Sequence, residues 1–126
     1  MKYQPVDPPR VFQVGFRAPV LLRDCARIEL APDEQVTFVT NSGAEYDVVR
    51  KDWGFYATPS LNGRLQQFGL RAVLVRNELA KFYILLVESG KEAAFQQYVE
   101  QEGLKLICWL DSTSALKRLQ NLILET

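Results

Sequence analysis

With 126 residues, 48% hydrophobic and 24% charged, the chain has the composition of one ordinary globular domain, able to bury about two thirds of its unfolded surface without cross-links. Fifteen basic and fifteen acidic residues cancel, which removes the electrostatic footprint of a general nucleic-acid or anionic-membrane binder. Histidine is absent, and with it go Ser-His-Asp and Cys-His nucleophiles, histidine acid-base chemistry and histidine-ligated metals, while two cysteines are too few for a structural zinc site.

The first ten residues, MKYQPVDPPR, carry Pro5, Pro8 and Pro9, which deny both helix and full ladder bonding and predict an extended arm. They contain no apolar leader run, and no later run approaches the roughly 20 residues of a membrane span, so a cytoplasmic, membrane-free protein is expected. Val11 to Phe16 reads as a short strand, broken by Gly15 and Pro19 before Val20-Leu21-Leu22. Arg27-Ile28-Glu29-Leu30 alternates, with Ile28 and Leu30 on one face. Ala31-Pro32-Asp33-Glu34 is a turn, QVTFVT (35 to 40) a β-branched strand, Asn41-Ser42-Gly43 a second turn and EYDVVR (45 to 50) the returning strand. These three segments predict an antiparallel meander, either a small sheet or a partly open barrel.

Asp52 to Ala57 continues as strand until Thr58-Pro59-Ser60 forces a corner. Ser60 is placed to cap a short helix through Leu61, Leu65 and Phe68 that stops at Gly69. RAVLVRN (71 to 77) and KFYILLVE (81 to 88) read as a hairpin, and the unbroken apolar run of the second strand predicts cover on both faces. Ser89 to Glu92 has the spacing of a capping box, followed by a helix with Ala94, Phe95, Tyr98 and Val99 on one stripe and Gly103 at its end. LKLICWL (104 to 110) is a further buried strand. Asp111 or Ser112, Asp111 preferred, caps a last helix over 113 to 124 with Leu116, Leu119, Leu122 and Ile123 at helical spacing. Cys25 and Cys108, both in strands, read as reduced thiols. The fold class is therefore α+β: one domain over 1 to 126, with an antiparallel β-rich N-terminal part followed by a strand-strand-helix-strand-helix unit.

The stretch DWGFYATPSLNGRLQQFGLR, 52 to 71, is the candidate site. Trp53, Tyr56, Thr58, Asn62, Arg64 and Arg71 offer ring faces, hydroxyl, amide and guanidinium groups in one short span, a mixture suited to a polar ligand with an anionic part. The bland reading of the same residues is core aromatics, a turn and solvated arginines. Glu88 and Asp111, at strand ends, with Tyr56 or Tyr83, are the groups for acid-base chemistry without histidine. No calcium loop or glycine-rich phosphate loop is present, and neither a metal nor a cofactor is implied.

WGFYATPSLNGRL with FGLRAVLVRN and KFYILLVE resembles a family of small uncharacterised bacterial proteins found beside genes for surface-polysaccharide or nucleotide-sugar synthesis, and this resemblance implies a nucleotide-sugar or glycan-precursor ligand. IELAPDEQVTFVT resembles a strand-turn-strand unit of cupin-like barrels, whose metal sites depend on histidines this chain lacks. The expectation is a non-catalytic binding or accessory protein working through residues 52 to 71. Its alternatives are a small metal-independent enzyme on a sugar-type metabolite and a protein-interaction module or homodimer.

Overall fold

The computed structural model describes residues 1 to 15 and 17 to 125. Among them eight strands and three helices follow the order β1 (Lys2–Val14), β2 (Val20–Glu29), β3 (Gln35–Val39), β4 (Glu45–Lys51), β5 (Gly54–Tyr56), α1 (Arg64–Gln67), β6 (Leu70–Arg76), β7 (Phe82–Glu88), α2 (Glu92–Glu102), β8 (Lys105–Trp109) and α3 (Thr113–Leu124). The strands form three antiparallel sheets, β1-β2, β3-β4-β5 and β7-β6-β8. The α+β class thus holds, and its β-rich N-terminal part takes the form of small sheets.

The arm is extended as the prolines require, yet it is paired. β1 runs against β2 from Lys2 opposite Glu29 to Val14 opposite Val20, with the register shifting between Pro5 and Arg10. In a two-stranded ribbon each strand has one outward edge, so a proline nitrogen need not interrupt the ladder. The expected strand end at Phe16 lies outside the described residues. Arg27 to Glu29 belongs to this ribbon and not to the meander, whose third strand is Gly54–Tyr56 instead.

The core lies on the two faces of the β7-β6-β8 sheet, and alternation along β6 separates them. Leu70, Ala72 and Leu74 face a cluster with Ala44, Leu65, Leu110 and Leu116, whereas Val73 and Val75 face Val87, Phe95, Leu104 and Trp109. The meander and α1 therefore cover one face and α2 the other. Gly69, at φ +86, turns the chain from α1 into β6 with Ala44 packed 3.6 Å from where its side chain would begin. α2 ends on Gly103 in the left-handed conformation.

Several expectations are corrected. β7 is an edge strand and is not covered on both faces, because Phe82, Tyr83 and Ile84 stay exposed. An apolar run records what the strand gains by burial, and among the described residues the elements packed on this sheet leave the start of β7 uncovered. Ser89 does not cap α2. Lys91 occupies that position without a side-chain bond, and Glu92 reaches back only to the Gly90 amide, at 2.6 Å. For α3 the cap is Ser112, whose Oγ accepts from the Ala115 amide at 3.1 Å, because Asp111 is engaged elsewhere. α3 meets the core through Leu116, while Leu119, Leu122 and Ile123 on the continuing stripe remain exposed.

Candidate functional site

The residues from 52 to 71 trace the outer meander strand, the corner and α1, and then enter the central sheet. Trp53 sits in the β4–β5 turn and is 72% exposed, which leaves its ring standing free at the surface. Thr58 is half-buried at the corner. Asn62 donates from Nδ2 to Thr113 Oγ1 at 3.1 Å, so it fastens the start of α3. Tyr56 and Arg64 come together: with Gln35, Asp47, Val49, Lys51, Pro59 and Ser60 they line an open cleft of about 420 Å³. Arg64 Nη2 lies 2.9 Å from Asp47 Oδ2 and its guanidinium sits 5.1 Å from the Phe68 ring centre. Asp47 is buried in strand β4 and also accepts from Thr37 Oγ1 at 2.8 Å. The sequence signal for Asp47 is an aspartate at an inward position of the strand EYDVVR.

Arg71 lies elsewhere. Odd positions of β6 face α2 and even ones face α1, so Arg71 and Arg64 stand on opposite sides of the sheet and cannot grip one anion. Arg71 donates from Nε to Asp111 Oδ2 at 2.5 Å and from Nη1 to Glu92 Oε2 at 3.4 Å, and its guanidinium lies 4.0 Å from the Trp109 ring centre. Gln66 Nε2 donates to the Asp111 carbonyl at 2.5 Å. The Arg71 hydrogen bond holds the Asp111 carboxyl below its ordinary value, with burial opposing. Amides of Glu92 itself and of Gly90, followed by Arg71, lower Glu92. Every strong donor and acceptor of this cluster is answered from within the fold.

Glu88, the other proposed acid, closes the turn between β3 and β4 onto β7. Its Oε1 accepts from Ser42 Oγ at 2.5 Å and Thr40 Oγ1 at 3.0 Å, and its Oε2 lies 3.1 Å from Lys91 Nζ. Ser42 is the largest influence lowering its carboxyl, then Lys91. A general acid at neutral pH needs a raised carboxyl in a site open to substrate. Glu88 and Asp111 have lowered carboxyls and fixed partners, and they attach to different elements.

No protein-family model, curated protein or solved structure matches the chain. Among the described residues no three or more Asp, Glu or Cys side chains gather as metal ligands would, and no helix is long and apolar enough to cross a membrane. Cys25 and Cys108 are both free thiols.

The largest unassigned feature is apolar. The ribbon is exposed along both faces, with Phe12, Val14, Val20 and Leu22 on one side and Val11 and Leu21 on the other. Phe82, Tyr83 and Ile84 add the outer strand of the sheet, and Leu119, Leu122 and Ile123 the stripe of α3. The sequence predicts cover for Phe82, Tyr83 and Ile84 and packing of the helix that carries Leu119, Leu122 and Ile123, whereas the ribbon residues read only as short strands. Three helices, one of them only 4 residues long, and a small meander cannot cover a sheet, a long ribbon and one another.

Proposed function

We propose that the protein is a non-catalytic interaction module that works through these uncovered apolar surfaces. The observation that carries this reading is area. The chain exposes 9101 Å², whereas a compact folded chain of its 14.4 kDa exposes about 6,800 Å². Part of that surface is carried by large apolar side chains, Phe12 and Leu22 of the ribbon and Phe82 and Ile84 of β7 among them, and exposed apolar patches mark binding faces. The satisfied state of Arg71, Asp111 and Glu88 supports a structural role for the charged residues and argues against turnover. Free Cys25 and Cys108 fit a reducing compartment, in keeping with a cytoplasmic protein.

A second reading keeps the small polar ligand, favoured by the open cleft in which Tyr56, Lys51, Ser60 and Arg64 converge. The resemblance to proteins beside polysaccharide genes would make that ligand a nucleotide sugar or glycan precursor. Thermal melting across nucleotides, nucleotide sugars and simple sugars separates the two, because a ligand at 100 times its dissociation constant stabilises by about 2.7 kcal/mol. A flat panel is the expected result. A shift confined to one chemical class, and lost in Arg64→Ala, would overturn the interaction reading in favour of the cleft.

A further inference from the structure

We infer that the partner is a second copy of this chain, joined edge to edge through β7 into one six-stranded sheet. The inference rests on the interaction-module reading and names its occupant.

β7 is the outer strand of the β7-β6-β8 sheet, and its pairing with β6 runs from Leu70 opposite Glu88 to Arg76 opposite Phe82 without a shift in register. Edge strands normally carry lysine, proline, a bulge or a covering segment that discourages further pairing. From Phe82 to Val87 the strand has no charge, no proline and no bulge, and its first three residues are exposed. By contrast, β8 on the opposite edge begins at Lys105 and shifts register against β6 between Leu74 and Val75. β7 is therefore the less guarded of the sheet's two edges.

Self-pairing suits that edge. A strand set antiparallel to its two-fold copy offers each amide a carbonyl from the same segment, so complementarity requires no second sequence. The one charge in the strand, Glu88, is already held by Lys91, Thr40 and Ser42, and the chain carries no net charge. No unpaired charge there selects nucleic acid or a charged peptide, and none repels a copy. Beside the same edge, Val14, Val20 and Leu22 of the ribbon line an apolar cleft of about 470 Å³ with Tyr83 and Leu85. The ribbon thus extends the surface that a partner placed along β7 would cover.

Sedimentation velocity of the full chain over a micromolar dilution series tests this, together with hydrogen exchange of the 82 to 88 segment over the same series. The expected results are twice the 14.4 kDa chain mass, exchange in 82 to 88 slowed at least about tenfold on association, and the single-chain mass with unchanged circular dichroism for Ile84→Lys. If Ile84→Lys does not fold, the wild-type dilution series decides alone. A single-chain mass at every concentration overturns the inference, and so does a doubled mass without slowed exchange in β7. Single-chain mass with a flat ligand panel removes the second copy but leaves the interaction reading, whereas a class-specific ligand shift removes that reading whatever the mass.

Discussion

Arg71 and Asp111 hold each other at the end of the central sheet, Nε to Oδ2 at 2.5 Å, and through them β6, the β8–α3 junction and the first turn of α2 are tied together. The pair is half-shielded: Asp111 is buried, Arg71 is 30% exposed and Trp109 covers one face of the guanidinium. Asp111→Asn should cost about 2 kcal/mol in urea unfolding at neutral pH, less than a fully buried pair because of that exposure. Its carboxyl is lowered in the folded state, so its contribution is fully present above about pH 5 and is lost as acid titrates it through the lowered value. The acid limb of the stability curve should therefore be shallower in Asp111→Asn than in the wild type. Parallel limbs would show that the pair does not shape acid stability.

Arg64→Ala tests a different environment. The arginine is half exposed, but its partner Asp47 is buried and would keep only Thr37. A loss of about 1 kcal/mol is expected, measured as a drop in melting temperature of a few degrees. An unchanged melt would mean that the ion pair does not persist in solution.

Leu65 has no exposed surface and stands where α1, Ala44 of the meander and β6 meet. Leu65→Ala should destabilise by about 2 to 5 kcal/mol, because removing the side chain leaves a cavity that three elements would have to close together. A cost below about 1 kcal/mol would indicate that α1 is loosely held.

The two thiols should differ in reactivity. Cys25 is exposed on the ribbon, while Cys108 is half-buried in β8 with its Sγ 3.1 Å from the Trp109 carbonyl. A chromogenic disulfide reagent should modify one thiol quickly in the native protein and the second only on unfolding, with the fast phase absent from Cys25→Ser. Two fast phases would place Cys108 in a more open strand than the structure gives it.

Local pattern foretold most of the elements, and it failed where the answer depended on what else is present. The helices near 92 to 102 and 113 to 124 and the strands around 35, 45, 70 and 105 follow from periodicity and punctuation, which each segment carries within itself. Joining Val20-Leu21-Leu22 to Arg27-Ile28-Glu29 as one strand needed its partner β1, and the prolines obscured that partner. Of the six candidate site residues, Tyr56 and Arg64 share a cleft, whereas Arg71 lies across the sheet and Asn62 serves α3. Adjacency in sequence could not reveal this, because a strand sends neighbouring side chains to opposite faces. Asp111 illustrates the same limit: its position beside Ser112 fits a cap, and only the fold brings Arg71 close enough to claim it.

The ribbon is moored by polar contacts at its two ends and otherwise meets the rest of the molecule across the open cleft that Val14, Val20 and Leu22 share with Tyr83 and Leu85. Near its turn the Arg17 amide donates to Glu102 at 3.2 Å and the Arg17 side chain pairs with Glu78, and at its far end Arg50 Nη1 donates to the Leu30 carbonyl at 2.9 Å. Its strands contribute no residue to either core cluster. Opening it releases a few polar moorings and leaves the central sheet whole, so in a single chain the ribbon is a separate cooperative unit, the first to loosen on warming while β6 is the last. Whatever binds along it would raise the stability of this unit ahead of any other, turning the least durable part of the molecule into a reporter of assembly.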